Sequence, residues 1–233
     1  MTDLLQGWGP AIARGVLTTI EVAILSLALG FAWAALGAMA QLSTNGILRR
    51  LGRAFTVIVR GTPELLIILI VYFGGAVSLT RLAKAVDPGA GFVEIPALAA
   101  GVFALSLVFG GFAAEVLRGA YLAVPKGEME AAAAFGMSRR TAFLSIRLPL
   151  MWRYGLPGLG NNWISLIKDT SLISIVGLEE LMRISAMATS VTSEPFHFYL
   201  TAAAIYFVLI AANTALVDAL ERRAARGERK LAQ

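Results

Sequence analysis

Apolar residues dominate five long stretches of the chain, and the charged residues collect in the connections between them. Each stretch can cross a hydrocarbon core of about 30 Å, which takes roughly 20 helical residues. They are Ile12–Met39, Leu65–Leu82, Pro96–Leu117, Leu156–Leu178 and Phe196–Leu220. Between the first two lies "GILRRLGRAFTVIVRGTP", with a different rhythm. There Ile47, Leu51, Phe55 and Ile58 recur at helical spacing, while Arg49, Arg50, Arg53 and Arg60 fall largely on the other side. That pattern predicts an amphipathic helix lying in the membrane interface, its basic face toward anionic headgroups. Thr62 and Pro63 read as the N-cap and first helical position of the second span, with Glu64 in its first turn. The expected architecture is all-α and membrane-integral, one transmembrane domain over residues 1–233.

Composition agrees: 58% of the 233 residues are apolar and 15% charged, with a mean hydropathy of +0.74. Soluble domains carry about 25% charged residues. There is no cysteine and only one histidine, His197, which excludes thiolate chemistry and any metal centre built on Cys or His clusters. The N-terminal "MTDLLQGWGP" has Asp3 where a signal peptide places basic residues, and reads as mature sequence. The net charge of +5 sorts by loop. Basic residues crowd the first connection, the third (Arg118, Lys126, Arg139, Arg140, Arg147 and Arg153 against Glu128 and Glu130) and the tail "ERRAARGERK". Positive loops stay in the cytoplasm, so five spans with the N-terminus outside and the C-terminus inside satisfy every loop.

The third connection, about residues 119–154, predicts two short helices. One follows Pro125, carries Glu128, Glu130 and Ala131–Ala134, and stops near Gly136. The other is capped by Ser138 and runs through Ile146, where Pro149 limits its continuation. On spacing alone this is a solvated hairpin or a docking element.

Polar residues inside the spans mark candidate chemistry, because charges there are costly and face a cavity or a partner. Glu21, about a third of the way into the first span, is a pathway group or a buried interhelical hydrogen bond. Glu115 can pair with Arg118 three residues on. Glu64 complements a helix dipole or touches substrate. In the fourth span "GNNWISLIKDTSL" places Asn161, Ser165 and Lys168 or Asp169 on one stripe. Such polarity cannot face lipid; it lines a cavity or seals two subunits together. Asn161, Asn162, Lys168 and Asp169 are the pathway candidates. Trp8, Trp163 and His197 read as interfacial anchors.

Glu130-Ala131-Ala132, Gly136, then Ile146, Leu148 and Pro149 resemble the EAA loop of ABC-importer permeases, matching its spacing without a gap. "RGTPELLIILIVYFG", "AAEVLRGAYLAVPKGEMEAAAAFGMS" and "LPGLGNNWISLIKDTSLISIVGLEEL" extend the likeness to permeases of the polar amino acid importers, of the histidine/lysine/arginine and opine type. The resemblance implies a bacterial inner-membrane subunit that forms the translocation path for basic amino acids or opines. It implies a homologous second permease, an external solute-binding protein and two ATPase subunits that hold ATP and Mg, with none of these cofactors in this chain. It also implies that Glu130, Ala131, Ala132, Gly136, Ile146, Leu148 and Pro149 couple the chain to the ATPase. The chain has no G-x-x-x-x-G-K-[ST] phosphate cradle and no Ser-His-acid constellation, so a membrane enzyme is disfavoured. An ion-driven secondary transporter or channel is the alternative class, and it would leave the EAA loop without a purpose.

Overall fold

The computed structural model describes residues 5–224; Asp3 and the part of the basic tail beyond Ala224 lie outside them. Among the described residues all regular structure is helical. Helix α1 (Gly9–Leu42) is followed by α2 (Gly46–Gly61) and α3 (Glu64–Leu69). A π turn, Ile70–Gly74, joins α3 to α4 (Gly75–Val86). Helix α5 (Ala97–Ala123) leads to α6 (Lys126–Ala134) and α7 (Arg139–Ala142). A second π turn, Phe143–Arg147, carries α7 straight into α8 (Leu148–Asp169). A 3-10 segment, Thr170–Val176, then leads to α9 (Leu181–Thr192) and α10 (Pro195–Ala224). Four of these are long and apolar enough to cross a membrane: α1, Glu64–Val86, α5 and α10.

Helix α5 is the axis of the fold: 61% of its most apolar stretch is buried, against 11% for α10. Its neighbours approach closely because it presents small residues. The Ser26 hydroxyl donates to the Val102 carbonyl (3.4 Å), and a methyl group at Gly110 would lie 2.4 Å from Trp33 Cβ. Helix α1 thus runs parallel to α5, offset by 76 positions. That register puts Glu21 level with Ala97, the start of α5, because the first turns of α1 project beyond it. Glu21 is exposed there, on the outer face of α1 beside Leu17, Ile24 and Leu25; the buried interhelical bond expected for it is not what the structure shows.

Helix α2 departs from the expectation of an interfacial helix. It stands antiparallel against α1 and α5. Gly52 meets Ala40, Thr56 donates to Glu115 Oε1 at 3.2 Å, and Val59 fills the notch at Gly111, midway along α5. The apolar and basic stripes do exist, and Ile47, Leu51 and Ile58 are exposed with the arginines. A third stripe of small residues, Gly52 and Thr56 with Val59, does the packing, and the two-face reading overlooked it. Asn45 caps α2, accepting from Ile47 N at 2.8 Å. Thr62 belongs to its other end: its hydroxyl donates back to Ile58 O at 2.7 Å, and Pro63 stands at the N-cap of α3. Glu64 is in the first turn of α3, as expected.

The fourth apolar stretch is the C-terminal part of a longer rod. Gly155 of α8 lies against Ala120, and Ile173 of the 3-10 segment against Gly101. These contacts are 19 residues apart on α5, about 28 Å at 1.5 Å per residue. Helix α8 does not match the other four in hydropathy because Arg153, Asn161, Asn162, Lys168 and Asp169 interrupt it. Pro149 does not end the preceding helix. The π turn just before it widens the backbone, with the Leu148 N–H donating to Phe143 O, and Pro149 falls in the first turn of α8, where no N–H is needed. Trp163 is interior rather than interfacial: its Nε1–H donates to Asn213 Oδ1 of α10 at 3.0 Å.

Candidate functional site

A cavity of about 300 Å³ opens where two helices are interrupted. Glu64 stands at the N-terminus of α3, just past the break that separates it from α2. Asp169 stands at the last turn of α8, where the backbone tightens to 3-10. Both line the cavity with Asn161, Asn162 and Ser165, against an α5 wall that includes Phe109 and Phe112. The fourth-span stripe and the second-span acid therefore converge on one volume. Interrupted helices and convergent polar groups of this kind recur at transporter binding sites. The Asn162 side-chain amide nitrogen is buried and has no acceptor within the protein, although a buried donor usually finds one. The guanidinium of Arg60, at the end of α2, lies over the Phe112 ring, 5.8 Å from its centre.

Three other pathway candidates stand elsewhere. Lys168 is exposed on the adjoining stripe of α8 and is not part of the cavity wall. Glu115 pairs with Arg118 (2.9 Å) and accepts from Thr56, so its carboxylate ties α2 to α5. Glu21 is on the outer face of α1, away from the cavity. Sequence reasoning missed Glu180 altogether. It is fully buried, and its oxygens accept from Met182 N (2.9 Å), Arg183 N (2.8 Å) and the Tyr206 hydroxyl (3.0 Å). Thr19 Oγ1 lies 3.5 Å away. One carboxylate thus caps α9 and fastens it to α1 and α10. An acid immediately before a helical run was the available signal.

The loop from α5 to α8 is compact. Helix α6 ends in a Schellman turn: Met137 N donates to Ala132 O and Gly136 N to Ala133 O, both at 3.0 Å, with Gly136 at φ +73°. Only glycine takes that left-handed conformation without strain. Ser138 caps α7, accepting from Thr141 N. Glu130 and Ala131 are exposed, and Phe135 at the turn is 88% exposed. Ala132 is buried against the rest of the loop, at 2% exposure. Ile146 is half-buried; Leu148 and Pro149 are exposed.

Residues 34–226 match the family model of the binding-protein-dependent transport system inner membrane component. The chain belongs to this family. As a permease subunit it is 43% identical over 223 residues to the nopaline transport system permease protein NocQ of Agrobacterium fabrum, covering 96% of this chain and 94% of that one. It is 36% identical to the histidine/lysine/arginine/ornithine transport system permease protein HisQ of Escherichia coli K12, over 97% of this chain and 99% of the relative. A solved structure of an amino acid ABC transporter with histidines superposes with a TM-score of 0.81 at 29% identity, covering 96% of this permease and 99% of that chain. At 19% identity, a chain of a methionine ABC transporter shares the fold with a TM-score of 0.74. The permease is therefore a subunit of an ABC importer. The ion-driven alternative has no counterpart among these relatives.

Proposed function

We propose that this permease conducts basic amino acids or opine derivatives through the cavity between Glu64 and Asp169, and that the α6–α7 loop couples it to a separate ATPase. The observation that carries the substrate class is the cavity wall: two carboxylates, two amides and a hydroxyl, with no lysine or arginine among the lining residues. A cationic side chain fits the carboxylates, beside the Phe109 and Phe112 side chains of the wall. The unpaired Asn162 amide supplies a donor for the substrate's own carboxylate. The names of the nopaline and histidine/lysine/arginine/ornithine relatives point to the same chemistry.

The chain crosses the membrane five times in this reading, with the C-terminus and the α6–α7 loop in the cytoplasm. The loop charges support that orientation, and the α8 rod supports the fifth crossing. Glu130, Ala131 and Gly136 offer an exposed, narrow surface to an ATPase groove, while Ala132, Ile146, Leu148 and Pro149 shape the loop behind it. A homologous second permease, two ATPase subunits and a solute-binding protein complete the assembly in the bacterial inner membrane, and ATP with Mg resides on the ATPase.

The test is uptake by the reconstituted importer. Parent complexes should take up radiolabelled arginine with ATP, and an excess of unlabelled lysine or an opine should compete. Asp169→Asn and Glu64→Gln should each weaken arginine uptake by about tenfold or more, since a charge-assisted hydrogen bond is worth about 1.5–3 kcal/mol. Arginine uptake undiminished in both variants would remove the cavity from the pathway.

A further inference from the structure

We propose that Arg147 and Tyr121 form a strut that makes α5 and α8 respond together to the coupling loop. The strut rests on the proposed coupling role of that loop and adds a route for the motion.

The loop is joined to the membrane helices very differently at its two ends. At its exit, α7 continues through the π turn into α8 as one rod, so displacement of the loop passes directly to α8. At its entrance, α5 gives way to Val124 (φ −65°, ψ 120°) and Pro125 (φ −57°, ψ 137°). Two extended residues make a softer joint than a helix. A push on the loop would reach α8 directly, while the loop end of α5 would follow only through the packing of Ala120 and Val116 against α8 unless a second connection joined the two helices beside the loop.

Arg147 supplies that connection. It occupies the last position of the π turn, the variable site of the Ile146-x-Leu148-Pro149 motif. Its Nη1 donates to the Tyr121 hydroxyl, and the guanidinium lies over the Tyr121 ring, 4.3 Å from its centre. Tyr121 is in the last turn of α5, next to Ala120, against which Gly155 of α8 packs. The strut therefore sits just on the loop side of the Gly155–Ala120 contact. Arg147 Nε is buried without an acceptor, so the guanidinium is only partly satisfied in this arrangement. An immobile staple would be expected to satisfy every donor; a joint that changes partners during a cycle need not.

The functional weight comes from what the two helices carry. Helix α5 contributes Phe109 and Phe112 to the cavity wall, and α8 contributes Asn161, Asn162, Ser165 and Asp169. If α8 moved alone, ATP hydrolysis would distort the cavity rather than reorient it. Arg147 and Tyr121 are thus positioning residues for transport and do not touch substrate.

The complex of full-length chain, second permease, ATPase and binding protein, reconstituted in proteoliposomes, gives three readouts: ATPase retained, ATP hydrolysed and substrate moved per ATP. Tyr121→Leu and Arg147→Gln should retain a hydrolysing ATPase while transport per ATP falls about fivefold or more. Tyr121→Phe keeps the ring and loses the hydroxyl, so it should fall between. Arg147→Lys keeps a cation over the ring and should recover part of the loss. Should Tyr121→Leu fail to accumulate, the two conservative variants carry the test alone. Transport per ATP within about twofold of the parent in assembled variants would overturn the proposal. So would a loss of transport that merely tracks a loss of bound ATPase, since that marks a fold staple. A parent preparation without any ATPase would instead overturn the coupling reading itself.

Discussion

Replacing Glu180 with alanine should destabilise the end of the bundle opposite the α6–α7 loop more than any other single truncation of a loop acid. The carboxylate is fully buried, and its removal strands three donors: Met182 N, Arg183 N and the Tyr206 hydroxyl. Loss of an N-cap costs about 0.5–2 kcal/mol, and an unpaired buried hydroxyl about 1–3 kcal/mol. Relief from desolvating a carboxylate offsets part of this, and the terms are not independent, leaving a net cost of about 2–4 kcal/mol. At this chain length 1 kcal/mol shifts the melting temperature by about 2–4 °C, so Glu180→Ala should melt about 5–15 °C lower. Glu180→Gln retains one acceptor oxygen and should lose about 2–4 °C. Trp8 packs on the apolar cluster that Leu181 and Ile184 of α9 form with Ile12 and Phe198, so intrinsic fluorescence of the detergent-solubilised protein, with the other three tryptophans replaced by phenylalanine in parent and variants alike, follows the melting of this end. Melting of the alanine variant within about 2 °C of the parent would show that these hydrogen bonds do not hold α9 in place.

Gly110→Ala should cost about 1–3 kcal/mol, because its methyl would overlap Trp33 Cβ; Gly119→Ala, with nothing near its new methyl, should be neutral or slightly stabilising, and paired thermal melts read the contrast. With no cysteine in the sequence, Ala131→Cys should react with a maleimide and cross-link to the ATPase. Ala132→Cys, being buried, should label slowly in the folded protein; equal labelling rates would refute the loop's packing. Gly136→Ala places a side chain at φ +73° and should cost about 1–2 kcal/mol, read as a fall in ATPase-coupled uptake together with faster proteolysis of the loop.

The polar stripe of α8 was legible because helical spacing alone puts Asn161, Ser165 and Asp169 on one side, and lipid tolerates no such side. Its meeting with Glu64 was not legible, since that depends on where α2 stops and α3 begins. Thr62 illustrates why: its hydroxyl has a carbonyl to bond at Ile58 as well as amides to cap ahead of it, and sequence cannot rank the two. Pro149 misled for a related reason. A proline ends a regular helix, but one widened turn before it removes the conflict. Helix α2 showed an amphipathic pattern and was placed in the interface, although glycine and threonine can bury a helix as effectively as leucine when the partner is also small. Glu180 was hidden because its importance lies in Thr19 and Tyr206, both far from it in sequence.

The glycines that let the helices come close also work as keyways. Trp33 occupies the notch at Gly110, Val59 that at Gly111, Ile173 that at Gly101, and Val116 that at Gly158. A key in its slot resists sliding along the shaft, so α1, α2, α5 and the α8 rod cannot creep past one another by a residue at a time. On the proposed coupling, displacement from the loop would be taken up where no key engages and the backbone is already interrupted, at Thr62-Pro63 and at Asp169-Thr170. Those two interruptions flank the cavity, so a scaffold locked by its keys would leave the proposed pathway as the part free to yield.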